Sequence, residues 1–125
     1  MRGFELMLTI CALYNLAFAI FHLTFWKIFH WNKDLASLAH INRAVMQILN
    51  LRLIYVFLVM AFVCLVFQNE LTATKLGQTL LIAFSIFWFM RTIEQVIFFG
   101  LKNKISLAMT LLFLLGGVIH LLPVL

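Results

Sequence analysis

Phe87-Trp88-Phe89-Met90-Arg91-Thr92-Ile93-Glu94-Gln95-Val96-Ile97-Phe98-Phe99 places an arginine, a glutamate and a glutamine inside an otherwise apolar run. Such a run belongs in a membrane. A charge near the bilayer centre costs about 2.5–3.5 kcal/mol on insertion scales, so Arg91 and Glu94 are expected to face protein or a small wet cavity instead of lipid. The other polar residues of the chain are then candidates for what they meet.

The rest of the chain fits that environment. Of 125 residues, 66% are hydrophobic and 10% charged, whereas a soluble domain carries about 25% charged residues. Mean hydropathy is +1.13. With one proline and five glycines, the apolar segments are uninterrupted and lack the alternation of barrel strands, so they predict helices. A spanning helix needs about 20 apolar residues, and four segments qualify: 4–26, 44–67, 77–99 and 105–122. The expected fold is all-α, a single four-helix transmembrane bundle over residues 1–125 with neighbouring spans antiparallel. The net charge of +5 comes from Lys and Arg scattered at span ends and inside spans. No basic run or aromatic-basic module points to nucleic acid, and the expected partner is the lipid bilayer.

The first span carries Ala12, Asn15, Ala19, His22 and Trp26 at spacings of three and four, which puts them on one helical stripe. Small residues beside polar ones mark the side that faces other helices. Arg2, the apolar run and Ala17-Phe18-Ala19 imitate a signal peptide, but the run continues to Trp26 and is read as a span. Cys11 and Cys64 match no metal or redox spacing and are expected to be buried free thiols, an inter-helix disulfide being the alternative.

Between the first two spans, Trp26 and Trp31 read as interface anchors and Asp34 as a helix N-cap. No glycine or proline interrupts residues 34–67, enough for about 50 Å of helix against a core of about 30 Å. Either that helix projects beyond the membrane, or its first part, with Leu35, Leu38 and Ile41 on one side, lies in the interface before turning in. Within the second span, Arg43, Gln47 and Asn50 share one face and Arg52 points the opposite way, free to snorkel. Gly100 suits a helix stop, and Gly116-Gly117 permits a close helix crossing. His120, one turn before Pro123, is expected at the interface.

Adjacent spans run in opposite directions, so residues distant in sequence share a depth. Counted from the ends of the first and third loops, Gln47, His22, Glu94, Asn50 and Arg91 lie about 5–12 Å deep. With Arg43 and Gln95 they form a candidate polar layer for binding a small ligand, an anionic lipid headgroup or a partner subunit. Arg91 and Glu94, three residues apart, are expected to be a coupled pair. Homo-oligomers, or membership of a larger membrane complex, are expected from the glycine pair and from Arg52.

Catalytic motifs are absent: there is no HExxH, glycine-rich phosphate loop or nucleophile elbow, and a single deep acid rules out paired carboxylates. No metal or cofactor is assigned. His22, His30, His40 and Glu94 are available to a metal or haem, but no two histidines stand at helical-turn spacing. In size and span number the chain resembles small multidrug-resistance transporters, but their essential glutamate lies mid-way along the first span, where this chain has Leu13, Tyr14 and Asn15. DoxX-like bacterial proteins are similar in size, with no shared motif to quote. The alternatives to a binding protein are a proton-coupled transporter using Glu94 and a haem- or quinone-binding subunit using His22.

Lys27, Lys33, Arg43, Lys102 and Lys104 gather on the first and third loops, against Arg2 and Lys75 on the other side. The positive-inside rule then places both termini on the non-cytoplasmic side of what is expected to be a bacterial inner membrane. Terminal fusions to a reporter active only in the cytoplasm should be silent at both ends; activity at either end reverses the orientation.

Overall fold

The computed structural model describes residues 3–125; Arg2, counted above for orientation, lies outside them. Every element among the described residues is helical: α1 (Gly3–Leu23), α2 (Phe25–Ile28), α3 (Trp31–Asp34), α4 (His40–Val66), α5 (Gln68–Ala73), α6 (Lys75–Phe99) and α7 (Lys104–Leu121), with 3-10 turns at Leu35–Ser37 and Leu122–Val124. Four helices are long and apolar enough to cross a membrane: α1, α4, α6, and α7 with its following turn. The chain is an all-α four-helix bundle. One end carries the first and third loops and is called the basic end; the other carries the termini and α5.

Of the two arrangements expected for residues 34–67, the continuous projecting helix does not form. Leu38 (φ −85°, ψ 154°) and Ala39 (φ −55°, ψ 148°) are extended, and α4 begins only at His40. Asp34 stands at the N-cap position of the Leu35–Ser37 turn, not of α4, and its side chain makes no capping bond; its carbonyl accepts from Ser37 Oγ at 2.7 Å. Burial explains the break. Folding the connector back against the bundle takes Trp31 to 6% and Leu35 to 4% exposure, which overrides the helix propensity of a stretch without glycine or proline. The first span also stops short of Trp26. At Thr24 both the backbone N–H and the hydroxyl turn back to Phe21 O, at 3.0 and 2.6 Å, so the side chain competes for a carbonyl the helix would use.

The bundle is built from two close pairs, α1 with α4 and α6 with α7, joined mainly through α1 and α7. All four helices contribute to one aromatic core. Trp88 of α6 stacks between Phe57 of α4 (5.3 Å, 12°) and Phe113 of α7 (5.9 Å, 18°), with Phe18 of α1 at 4.8 Å. A second core near the termini gathers Leu8, Cys11, Cys64, Leu71 and Leu81. Both thiols there are free and buried, as expected.

Turn chemistry sets the remaining ends. Thr74 caps α6 by accepting from Gly77 N at 3.0 Å, and Asn103 caps α7 by accepting from Ile105 N at 2.7 Å. Gly100, at φ 75°, ends α6 in the backbone region only glycine adopts freely. Gly116 and Gly117 permit the close approach that sequence implied, but the approach is internal. A Cβ at Gly116 would overlap the Tyr14 hydroxyl, and one at Gly117 the Phe89 ring. The pair therefore supports packing within the chain and leaves no bare glycine surface for a second copy.

Both neighbours are rigid rings, so Gly116→Ala and Gly117→Ala should each destabilise the fold by about 1–3 kcal/mol. Gly3→Ala, with open space around it, should not. Thermal unfolding in detergent, monitored by circular dichroism, checks this; an unchanged melting temperature for both α7 variants contradicts the crossing.

Candidate functional site

Two polar clusters occupy the bundle interior. The first ties α1 to α4 at the basic end. Asn50 Nδ2 donates to the His22 carbonyl at 2.9 Å, which leaves its Oδ1 to accept from His22 Nδ1–H at 2.8 Å. That geometry fixes the histidine tautomer and leaves Nε2 as an acceptor. The ring sits among phenylalanines, 4.2 Å from Phe25 and 5.1 Å from Phe57. One turn nearer the membrane surface, Trp26 Nε1 donates to Gln47 Oε1 at 3.1 Å, and Gln47 Nε2 donates to the Arg43 carbonyl at 3.2 Å. The shared face of Arg43, Gln47 and Asn50 is thus turned toward α1 and the connector, and Arg52 on the opposite face is exposed.

Above these pairs lies a cleft of about 180 Å³ lined by Trp26, Trp31, Asn32, Leu35, Ala36, Arg43 and Gln47. The connector supplies one wall. His30, in the left-handed region at φ 52°, turns the chain into α3, and Trp31 packs edge-on to Trp26 at 5.1 Å and 71°. Among the described residues, no hydrogen bond or ion pair engages the Arg43 guanidinium; its bonds are made by the backbone, the N–H to the Ala39 carbonyl at 3.0 Å and the carbonyl from Gln47 Nε2.

Sequence did not identify the second cluster as a unit. Asn15, at 0% exposure, donates from Nδ2 to both the Cys11 carbonyl and His120 Nε2, each at 2.8 Å, and accepts from Trp88 Nε1 at 3.2 Å. His120 Nδ1–H in turn donates to the Gly116 carbonyl at 2.6 Å. His120 is therefore not interfacial; it too has 0% exposure. Counting from its helix end assumed that all spans finish level. Instead the Leu122–Val124 turn folds back against α1 and α6, and Val124 packs on the Leu8 cluster. The usable signal was the stripe through Asn15, which needed a partner at the same depth.

The layer expected on α6 divides. Gln95, buried at 5% exposure, donates to Ser106 Oγ at 3.0 Å and so ties α6 to α7. Arg91 is half-buried with its guanidinium carbon 4.4 Å above the Phe113 ring, within electrostatic reach of His22. Glu94 is exposed. It acts on Arg91 through space, but no hydrogen bond or ion pair joins them, which corrects the expectation of an inward-facing bonded pair. At 300° around the helix from Arg91, Glu94 falls on the flank beyond Phe87, whereas Arg91 turns toward the core. Of the seven candidates, His22, Arg43, Gln47 and Asn50 lie on the α1–α4 side; Arg91 sits over Phe113 and reaches His22 only through space, and Gln95 and Glu94 lie elsewhere.

Chemically the cleft offers one cation, amide donors and indole faces, with the His22 acceptor in the neighbouring pair outside its lining and, among the described residues, no nucleophile set against a base. No group of three or more His, Cys, Asp or Glu gathers among the described residues. His30 and His40 are exposed. No family model, curated protein or solved structure matches the chain.

Removing one partner of the His22–Asn50 pair leaves a polar group facing apolar walls. Asn50→Leu removes two interhelical bonds and should lower stability by about 1 kcal/mol, at the average of about 0.6 kcal/mol for each such bond in a membrane protein. Glu94→Gln and Arg91→Met should instead be additive within about 0.5 kcal/mol, since the pair is not bonded. Thermal unfolding of the single and double variants in detergent measures both; a larger Arg91–Glu94 coupling restores the ion pair.

Proposed function

We propose that this is a non-catalytic membrane protein that holds a small ligand, a lipid headgroup or a partner subunit in the cleft at its basic end. In this reading the membrane is a bacterial inner membrane, the basic end is cytoplasmic, and both termini lie on the other side. One observation carries the proposal. Polar side chains inside the bundle satisfy one another, and no buried side-chain nitrogen or oxygen among the described residues lacks a partner, yet the half-buried Arg43 presents an unengaged guanidinium to a cleft walled by two indoles. A cluster that served only to glue helices would be expected to engage its arginine too.

Glu94 does not line the cleft, so a proton-coupled transporter built on it draws no support from this geometry. A haem- or quinone-binding role has one observation in its favour, the unbonded Nε2 of His22 beside Phe25 and Phe57. Association with a second copy rests on Arg52, the exposed cation of α4, because both α7 glycines are covered within the chain.

Native mass spectrometry with an absorption spectrum, on protein purified in mild detergent, tests the proposal. The expected result is a colourless protein carrying a non-covalent adduct that Gln47→Leu removes without unfolding the bundle. A folded wild type with no adduct overturns the ligand reading, and a visible haem band moves the assignment to His22.

A further inference from the structure

We propose that the cleft beneath the connector is a phosphate site, taking the phosphate of an anionic phospholipid headgroup or a free phosphate monoester. The inference rests on the ligand-binding reading above and names the ligand's chemistry. Three features of the cleft point the same way.

The first is charge. Among the described residues, Arg43 is the only ionisable one in the lining. Asp34, the nearest acid in the connector sequence, is exposed and outside it, while Lys27 and Lys33 are exposed on the same segment. A lining of one cation and no acid selects an anion. Arginine's planar fork matches phosphate oxygens two at a time, a geometry that lysine does not reproduce.

The second is donor supply. Asn32 and Gln47 add amide N–H groups, and Gln47 Nε2 spends one hydrogen on the Arg43 carbonyl, leaving a second free. The two indole walls and Leu35 and Ala36 supply apolar surface beside the donors. That combination suits an ester with a hydrocarbon side better than a fully hydrated ion.

The third is size and place. At about 180 Å³ the cleft is smaller than the roughly 300–1,000 Å³ of sites for drug-sized ligands, so it admits a headgroup fragment and not a large substrate. It lies at the end of the spans where Trp26 and Trp31 pack and the loop lysines gather. Lipid phosphates have their highest local concentration there, and the cytoplasmic leaflet is anionic.

The test uses the full-length protein in a phosphate-free maltoside detergent, with tryptophan fluorescence as readout because Trp26 and Trp31 form the walls. Dioctanoyl phosphatidylglycerol, inorganic phosphate and dioctanoylglycerol are titrated separately. A saturable change with the phospholipid and none with the diacylglycerol supports the site; a similar response to inorganic phosphate identifies a free anion as sufficient. Arg43→Gln should weaken binding about tenfold to a hundredfold, Arg43→Lys less, and Arg52→Gln not at all. Circular dichroism establishes that each variant is folded, and the lysine variant keeps the test decisive if the glutamine variant is not.

Equal binding by folded Arg43→Gln, or an equal response to diacylglycerol, overturns the proposal. If neither phosphate compound binds although the native mass still shows an adduct removed by Gln47→Leu, the phosphate assignment fails and the ligand reading stands. If no adduct exists either, both fail.

Discussion

Asn15 carries a primary amide into the middle of a bundle whose surroundings are hydrocarbon, where an unsatisfied polar group costs several kcal/mol. Its solution fixes the relation of three helices. Both amide hydrogens and the oxygen are used, on the Cys11 carbonyl within α1, His120 of α7 and Trp88 of α6. Lipid tails are as apolar as leucine, so burial of leucine does not by itself draw one span against another. A directional polar contact therefore does what greasy surface cannot: it decides which faces meet. Once Trp88 donates to Asn15, its ring is set between Phe57 and Phe113, and the aromatic core follows from the amide.

That arrangement makes the structure unequal along its length. Toward the termini, packing is closed by contacts that leave little freedom: Tyr14 against Gly116, Ser85 Oγ donating to the Gly117 carbonyl at 2.6 Å, and Tyr14 OH donating to the Leu112 carbonyl at 2.8 Å. Toward the basic end the two helix pairs rely on separate bonds, His22–Asn50 and Trp26–Gln47 on one side, Gln95–Ser106 on the other. A folded connector covers α1 and α4 there instead of a fifth packed helix. Space for a ligand exists where the polar knot is not.

The spans were legible because about 20 apolar residues without a break admit few other solutions. The stripe of Ala12, Asn15, Ala19 and His22 was legible for a similar reason, since spacing alone puts side chains on one face. Gly100 announced its stop through a backbone conformation other residues avoid. What failed was anything that depended on where a helix ends relative to its neighbours. His120 looked interfacial by its distance from a terminus, but the turn through Pro123 packs back and buries it. A helix unbroken from residue 34 was one of two arrangements left open because nothing local forbids it; the burial of Trp31 and Leu35, a tertiary fact, breaks it at Leu38 and Ala39. Glu94 looked inward because charge in a span is costly, but that cost falls near the membrane surface, and only five residues separate it from the end of α6.

The two histidines of the interior show how little residue type says about role without partners. His120 has both ring nitrogens committed, one donating to the Gly116 carbonyl and one accepting from Asn15, so a proton or ligand would have to break the amide knot to reach it. His22 commits only Nδ1, to an asparagine that also holds its own backbone carbonyl, and keeps Nε2 open, within electrostatic reach of the half-buried Arg91. Loss of the His120 ring would leave the Asn15 amide short of one partner, whereas a change at His22 Nε2 breaks no bond within the chain. Arg43 and His22 Nε2, interior-facing groups that make no hydrogen bond within the chain, therefore both lie on the α1–α4 side of the basic end.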